Sequence, residues 1–369
     1  IVKVFIEARK REIPYIDALN GIRILRATYK GKIFKKRSKL VDEIIAAVEG
    51  LDKNFANDAF AALQIARTQI KWSINKVYQK TTDMSKKASS VMNDERIHAV
   101  EAFYDFHPIS LTQILQALEA KGIRQDKIKQ SDLLPHDQDH YGGVAAVDRI
   151  IAHAALSSDD HVLDVCSGLG GPARYIAMQR GCRVTGLDLT ASRVEGARQL
   201  SKLTGLDHLV DFVHGNALAM PFAAGSFSAL VSQEAFAHIP NKAKLVQSCA
   251  QQLRPGGRMV FTDILWRQKP TPDDEAALFQ GMRFSEIASV DRYQRLFAAQ
   301  GLRCIDVFDL SDAWTQILIE RHAMYRSLKA QTIQNLGVDH FERYDRAYDH
   351  FVNLFSMRKL GGALMQFAN

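Results

Sequence analysis

The sequence predicts an α/β protein with a mostly parallel sheet and helices on both of its faces. Two observations carry this prediction. Apolar segments of strand length alternate with helical patterns from residue 161 onward, and the first segment runs into a glycine-rich turn. We expect strands near 161–166, 183–188, 210–213, 228–232, 258–264, 303–308 and 362–368.

The alternation of strand and helix stalls in two places, at 266–289 and at 311–360. These insertions follow the fifth and sixth predicted strands. In an open α/β sheet, the loops at the carboxyl ends of the strands border the ligand crevice. We therefore expect the two insertions to form a lid over the substrate.

The glycine-rich turn follows the first predicted strand, and residues 162–171 read Val-Leu-Asp-Val-Cys-Ser-Gly-Leu-Gly-Gly. The second predicted strand ends in the carboxylate of Asp188. Glycines let the backbone approach a ligand closely, and an acid at this place accepts hydrogen bonds from a ribose diol. The third glycine of a dinucleotide fingerprint is not in its expected place. The pattern therefore points away from NAD and towards S-adenosylmethionine, whose pocket needs no pyrophosphate cradle.

The chain resembles class I S-adenosylmethionine-dependent methyltransferases, most strongly over 162–265 and more widely over 94–369. Their Asp-x-Gly-x-Gly-x-Gly pattern appears at 164–170, with Cys166 in place of the first glycine. Within that superfamily the chain is most similar to small-molecule methyltransferases of the sarcosine/dimethylglycine N-methyltransferase type. The stretches that carry this similarity are 137–143, 232–238 and 253–257. The resemblance implies an enzyme with a Rossmann-like sheet, an antiparallel last strand and S-adenosylmethionine as cofactor.

The resemblance also implies roles for residues in the cofactor pocket. Asp164 would contact the methionine amine, and Asp188 would take the ribose hydroxyls unless it serves as the N-cap of the next helix. Asn216 can accept a hydrogen bond from the adenine amine through its side-chain oxygen. The predicted cofactor-binding set is Asp164, Cys166, Gly168, Gly170, Asp188, Leu189, Asn216, Ala217, Gln233 and Tyr141.

The segment after the fourth strand holds the catalytic candidates, Glu234 and His238. Glu234 could meet a cationic amine. His238 could act as a general base, or it could be a structural histidine at the start of the next helix. Methyl transfer from a sulfonium is a direct displacement, so an amine acceptor needs alignment above all. A hydroxyl or an acidic carbon needs a base as well.

Aromatic and arginine side chains in the two insertions suggest a substrate site. Aromatic rings can surround a methylated cation, and arginines can clamp a carboxylate with a fork of N–H donors. For each aromatic residue, core packing is the alternative. The predicted substrate-binding residues are Phe236, Trp266, Arg283, Tyr293, Trp314, Arg321 and Tyr325, with Arg267 and Arg292 as further candidate clamps.

The function predicted first is methyl transfer to an amine nitrogen of a small metabolite that bears a carboxylate. The alternatives are C- or O-methylation of a lipid, quinone or secondary metabolite, methylation associated with a nucleic acid, and cofactor binding without catalysis. No Asp/Asn-Pro-Pro-Tyr element stands at 232–236, which disfavours a nucleic-acid base as acceptor.

Charge divides the chain into two parts. Residues 1–90 hold 19 Lys and Arg against 9 Asp and Glu, a net charge of +10, whereas residues 91–369 carry a net charge of −3. We predict a basic helical module over 1–90, a helical cover of the cofactor pocket over 91–150 and the catalytic domain over 151–369. The basic run at 30–39 could contact a polyanion, a second subunit in a homo-oligomer or only solvent.

Cysteine spacing and hydropathy bound the environment of the protein. The four cysteines are widely spaced, which predicts reduced thiols in a cytoplasm and no metal site. No apolar run approaches the roughly 20 residues of a membrane span, and no signal-peptide pattern stands at the first residues.

Overall fold

The computed structural model describes residues 109–369 together with Arg96, Val100, Glu101, Phe103 and Tyr104. All of these belong to one compact unit of residues 87–369. The predicted basic module at 1–90, with its basic run at 30–39, lies outside the described residues.

A seven-stranded sheet runs through the described residues in the order β3-β2-β1-β4-β5-β7-β6. Neighbours among β1 to β5 pair in parallel, while β7 runs antiparallel to both β5 and β6. This confirms the predicted mostly parallel sheet with an antiparallel last strand. The strands are β1 (His161–Val165), β2 (Arg183–Asp188), β3 (Val210–His214), β4 (Phe227–Gln233), β5 (Leu253–Trp266), β6 (Arg303–Asp309) and β7 (Leu360–Ala368).

The fifth strand begins at Leu253, earlier than the predicted residue 258. Leu253 pairs with Phe227, and the register then shifts before Arg258 pairs with Ala229. The Arg-Pro-Gly-Gly sequence between these pairs has the composition of a turn, so its composition concealed the first part of the strand.

Helices cover the sheet and connect its strands. In the described residues they are α1 (Leu111–Ala120), α2 (Gln130–Leu133), α3 (Gly143–His153), α4 (Gly171–Arg180), α5 (Ala191–Leu203), α6 (Lys242–Gln252), α7 (Pro272–Met282), α8 (Val290–Ala298), α9 (Ser311–Ser327), α10 (Lys329–Leu336) and α11 (Val338–Ser356). Short 3₁₀ turns span Gln125–Lys127 and Phe236–His238. No helix within the described part of the chain is long and apolar enough to cross a membrane.

Consecutive strand residues enter two different apolar clusters. Val162 and Leu364 belong to one cluster, while Leu163 and Met365 belong to the other. Successive side chains of a strand point to opposite faces, so this division shows that both faces of the sheet are buried. The central strands therefore read as continuous apolar runs.

The second insertion packs onto the sheet through helix α9. The indole of Trp314 lies against Gly362 of β7 so closely that an added Cβ would come within 2.0 Å of the ring. Helices α9 and α11 are joined by His322 and Asp345, whose Nε2 and Oδ1 atoms are 2.8 Å apart. These contacts fix α9 and α11 relative to β7.

Candidate active site

A cavity of about 250 Å³ opens where the parallel strands end. Its lining combines the glycine-rich turn, the ends of β2, β3 and β4, and residues from both insertions. Met282 and Phe284 come from the first insertion, and Arg321, Tyr344 and Tyr348 come from the second. This is the crevice in which open α/β sheets bind ligands.

The glycine-rich turn uses left-handed backbone conformations, with φ of 64° at Cys166, 53° at Gly168 and 75° at Gly170. A cysteine in this conformation costs on the order of 1 kcal/mol relative to glycine. Gly168 lines the cavity and has open space where a Cβ would project. Gly170 does not line the cavity, and a Cβ there would lie 2.3 Å from the ring of Phe212. The contact with Phe212 of β3 therefore explains why residue 170 is a glycine.

Asp164 stands at the base of the turn and lines the cavity, although it is only 4% exposed. Its Oδ2 atom has no hydrogen-bond partner among the described residues. Burial, and then the charge of Asp188, raise the pKa of Asp164 to about 7. A buried carboxyl oxygen without a partner suits a cationic donor on a ligand, such as an amine.

Asp188 lies beside the same turn and holds it in place. Its Oδ2 atom accepts a hydrogen bond from the Gly168 N–H at 2.8 Å, and its Oδ1 atom accepts one from Thr190 N–H at 2.9 Å. Burial raises the pKa of Asp188, against the lowering effect of these bonds and of Arg193. The N-cap of α5 is Thr190 rather than Asp188. Each carboxylate oxygen keeps a further acceptor position for a ligand hydroxyl.

The remaining predicted cofactor residues also line the cavity, namely Cys166, Leu189, Asn216, Ala217, Gln233 and Tyr141. The Oδ1 atom of Asn216 already accepts a hydrogen bond from Leu218 N–H at 2.8 Å, which leaves one acceptor position. The buried Nε2 atom of Gln233 has no partner among the described residues. The lining thus offers both acceptors and donors to a polar ligand.

Glu234 lines the cavity with its carboxylate held from two sides. Oε2 accepts a hydrogen bond from Tyr141 N–H at 2.5 Å, and Oε1 accepts one from the hydroxyl of Thr262 at 2.7 Å. Burial raises the pKa of Glu234 to about 7, against these bonds and the charge of Arg321. The group can therefore gain or lose a proton near neutral pH.

His238 also lines the cavity, and both of its ring nitrogens have partners. Nδ1 lies 3.2 Å from the carbonyl oxygen of Arg283, and Nε2 lies 3.1 Å from the hydroxyl of Tyr104. A carbonyl oxygen only accepts, so Nδ1 donates the proton in that contact. In the neutral ring, Nε2 then accepts a hydrogen bond from the Tyr104 hydroxyl. The guanidinium carbon of Arg193 lies 5.3 Å from the ring centroid of this tyrosine.

The second insertion contributes a charged and aromatic wall. The Nη2 atom of Arg321 donates to the carbonyl oxygen of His140 at 2.9 Å, and its guanidinium lies 4.8 Å from the ring centroid of Tyr141. Tyr344 and Tyr348 complete the wall, and burial raises the pKa of Tyr348 to about 12. Both tyrosines escaped the sequence analysis because their four-residue spacing in an amphipathic helix is typical of core residues.

Five aromatic residues predicted to bind substrate lie outside the cavity lining. Phe236 is fully buried with its ring 5.1 Å from that of Phe261, and the hydroxyl of Tyr293 donates to Asp263 at 2.7 Å. Trp266 belongs to the apolar core, Trp314 lies against β7, and Tyr325 stacks on Phe341. The structure brings none of these five rings to the cavity. Four of them are buried, which removes their apolar surface from water, and Tyr325 packs between helices α9 and α11.

Three predicted arginine clamps are likewise not brought to the cavity. Arg283 lies with its guanidinium 6.0 Å from the ring of Phe279. Arg267 is paired with Asp309 at 2.6 Å, and Arg292 is paired with Glu286. Of the arginines predicted from the insertions, Arg321 alone lines the cavity among the described residues.

Part of the chain that forms the cavity matches a known protein domain. Residues 163–261 match a family model described as a methyltransferase domain. The chain is 29% identical over 195 residues to phosphoethanolamine N-methyltransferase of Plasmodium falciparum. The aligned residues make up 52% of this chain and 72% of that protein. The chain is 26% identical over 166 residues to glycine/sarcosine/dimethylglycine N-methyltransferase of Actinopolyspora halophila, covering 45% of this chain but 29% of that protein. Other relatives carry O-methyltransferase names.

Among solved structures, phosphoethanolamine N-methyltransferase 2 of Haemonchus contortus superposes with a TM-score of 0.58 at 17% identity, over 73% of this chain and 59% of that chain. At this identity the likeness shows the fold alone. The domain match identifies residues 163–261 as a methyltransferase domain, and the likeness shows that it has the class I fold, whose members use S-adenosylmethionine. This confirms the resemblance seen in the sequence.

Proposed function

We propose that this chain transfers the methyl group of S-adenosylmethionine to an amine nitrogen of a small acceptor that also bears a carboxylate. One observation carries the proposal. A single cavity joins the unpartnered oxygen of Asp164 at one end to Arg321 and a group of tyrosines at the other. The first end suits a cationic amine, and the second suits a molecule with both positive and negative charge.

The residues at the first end fit S-adenosylmethionine. Asp164 would hold the methionine amine, and Asp188 would accept the ribose hydroxyls while its bond to Gly168 keeps the turn open. Leu189 and Ala217 line the place where an adenine ring would lie. When bound, S-adenosylmethionine supplies an electrophilic methyl group.

The residues at the second end would hold the acceptor. Arg321 would bind the carboxylate, and the rings of Tyr141, Tyr344 and Tyr348 would border the amine. An amine attacks only through a free lone pair, so its proton must leave first. Glu234, with its pKa of about 7, and His238 both line the cavity, and either would take that proton.

A second candidate is methylation of oxygen or carbon in a lipid, quinone or secondary metabolite. The hydrogen bond between Tyr104 and His238 favours it. A neutral imidazole whose Nε2 atom accepts a hydrogen bond from a hydroxyl would act as general base for a hydroxylated acceptor that reaches the same atom. In this candidate the chain would need His238 far more than an amine acceptor does.

The test is a methyl-transfer assay with purified full-length protein and a panel of sarcosine, dimethylglycine, phosphoethanolamine and simple phenols. We expect methylation of the carboxylated amines, with kcat reduced less than about tenfold in His238→Ala. A loss of about 100-fold or more, seen on a phenol, would instead establish the second candidate. The exposed histidine variant His208→Ala is the control.

A substitution in the second insertion distinguishes acceptor binding from cofactor binding. We expect Arg321→Met to raise the acceptor KM by about tenfold or more while the affinity for S-adenosylhomocysteine stays unchanged. Arg326→Met, on the same helix but paired with Asp345 at the surface, is the matched control. No effect of Arg321→Met on any acceptor would contradict the proposed carboxylate contact.

A further inference from the structure

Residues 137–141 form a turn that contacts both ends of the cavity. Asp137, at its start, is bonded to the helix that follows the glycine-rich turn. His140 and Tyr141, at its end, are bonded to residues of the acceptor side. The five residues therefore link two walls that are far apart in sequence.

At the cofactor end the link is a fully buried ion pair. The Nη2 atom of Arg174 lies 2.9 Å from Oδ2 of Asp137, and neither side chain is exposed. The Nη1 atom of the same guanidinium donates to the carbonyl oxygen of Leu169 at 2.8 Å, within the glycine-rich turn. One side chain thus holds the glycine-rich turn and the turn at 137–141 together.

At the acceptor end the same turn is bonded to two cavity residues. The carbonyl oxygen of His140 accepts a hydrogen bond from Arg321, and the N–H of Tyr141 donates one to Glu234. The ring of Tyr141 lies between the guanidinium of Arg321, at 4.8 Å, and the indole of Trp314, at 5.1 Å. A displacement of this turn would therefore move both residues that we assign to the acceptor.

We propose that Arg174, which does not line the cavity, is a positioning residue that couples the two ends. Ligand binding at the glycine-rich turn fixes Leu169, and Arg174 transmits this through Asp137 to Arg321 and Glu234. The acceptor site is then completed only when the cofactor end is occupied. Such coupling is reciprocal, so acceptor binding strengthens cofactor binding by the same factor. This inference rests on the proposed function.

The contacts are of the kind that transmits coupling. A buried ion pair without access to water has few alternative arrangements, since separating the two groups would leave each buried charge without its opposite charge. The chain of contacts from Leu169 to Arg321 runs through hydrogen bonds of ordinary length. It is a contiguous physical path, which can be tested by breaking a single link.

Hydrogen–deuterium exchange of the full chain, with and without S-adenosylhomocysteine, tests the proposal. In the wild type we expect the ligand to slow exchange about tenfold or more both in the glycine-rich turn, 163–171, and in α9 around Arg321. In Arg174→Met the slowing at 163–171 should persist while that in α9 is lost. Asp137→Ala removes the acceptor at the other side of the same link, and it serves if Arg174→Met does not fold.

Arg258→Met is the matched control. Arg258 forms a comparable partly buried pair with Asp160 at 2.7 Å, outside the cavity lining. It should leave the slowing in α9 intact. Slowing in α9 that persists in both link variants, or that disappears equally in Arg258→Met, would overturn the coupling. Slowing at 163–171 without any in α9 of the wild type would also overturn it. If the ligand slows exchange nowhere, the proposed function fails and the coupling with it.

Discussion

The hydroxyl of Tyr104 lies 3.1 Å from Nε2 of His238, although 134 residues separate them in the sequence. The tyrosine belongs to the helical region before the sheet, and the histidine follows β4. Their contact brings a hydroxyl and an imidazole together on the lining of one cavity. It also joins the helical region before the sheet to the segment that follows β4.

Removing this hydroxyl should slow catalysis without removing the ring. We expect Tyr104→Phe to lower kcat on a carboxylated amine by about two- to threefold, no more than His238→Ala does, because His238 loses the hydrogen-bond partner of its Nε2 atom. Affinity for S-adenosylmethionine should change little, since the phenylalanine ring still packs under Arg193. Steady-state kinetics and calorimetry measure the two effects. Tyr175→Phe, which removes a hydroxyl bonded to Asp148 away from the cavity, should behave as wild type.

Asp188 should be required for cofactor binding. We expect Asp188→Asn to weaken S-adenosylhomocysteine binding by about 10- to 100-fold, because hydrogen bonds to a charged group are worth about 1.5–3 kcal/mol. The substitution also weakens the bond that holds Gly168. Isothermal titration calorimetry gives the affinities. Asp211→Asn is the control, as this carboxylate accepts a hydrogen bond from Thr185 on the neighbouring strand. Equal affinity in wild type and Asp188→Asn would contradict the assignment.

The two glycines of the glycine-rich turn, Gly168 and Gly170, should serve different properties of the protein. Gly170→Ala would place a Cβ 2.3 Å from Phe212, so we expect a loss of unfolding free energy of about 2 kcal/mol or more. Gly168→Ala meets no atom and carries only the cost of a left-handed alanine, about 1 kcal/mol. Its effect should appear instead as weaker ligand binding. Urea unfolding and calorimetry on both variants distinguish stability from binding.

The buried carboxyl of Asp164 should make the ligand-free protein less stable as pH rises. Its pKa is raised from 3.8 to about 7, so between these values the folded state binds more protons than the unfolded state. The unfolding free energy therefore falls as pH rises through this window. Asp164→Asn should flatten the fall by on the order of 2 to 4 kcal/mol, measured by urea unfolding at pH 4 to 8.

Asp160 provides a control with the opposite sign. Burial raises the pKa of this carboxyl, but hydrogen bonds from Ser228 and Arg258 outweigh it and leave the pKa below its ordinary value. Its contribution to stability is present above that ordinary value of 3.8 and is lost as pH falls below it, so this control needs urea unfolding extended to about pH 2. If Asp164→Asn and Asp160→Asn changed the pH dependence in the same direction, the assignment of Asp164 would be wrong.

The sheet and the cofactor end could be predicted because local patterns specify them. Apolar segments of strand length located all seven strands, and the glycine-rich turn with Asp188 lies where the pattern indicates. The acceptor end was harder to predict. Trp314 and Tyr348 are both aromatic residues on helices of the second insertion. Trp314 packs on Gly362, whereas Tyr348 lines the cavity. Composition and spacing are alike in the two cases, and only the packing of α9 and α11 decides between them.

The partnership of Tyr104 with His238 was equally hidden. The aromatic residues near 103–106 stand out in the sequence, but a hydrogen bond across 134 residues leaves no local pattern. The same holds for Arg174, which reads as an ordinary helix residue and is fully buried against Asp137. Long-range polar pairs of this kind depend on tertiary structure throughout.

The close contact between Trp314 and Gly362 means that a mutation in β7 would affect one wall of the cavity and not the other. Any side chain larger than hydrogen at 362 would push the start of α9 away from the sheet, and Arg321 would move with the same helix. The glycine-rich turn belongs to other strands and would keep its geometry. Mutation in the last strand would therefore change the position of Arg321 in the cavity without altering the strands that carry the glycine-rich turn.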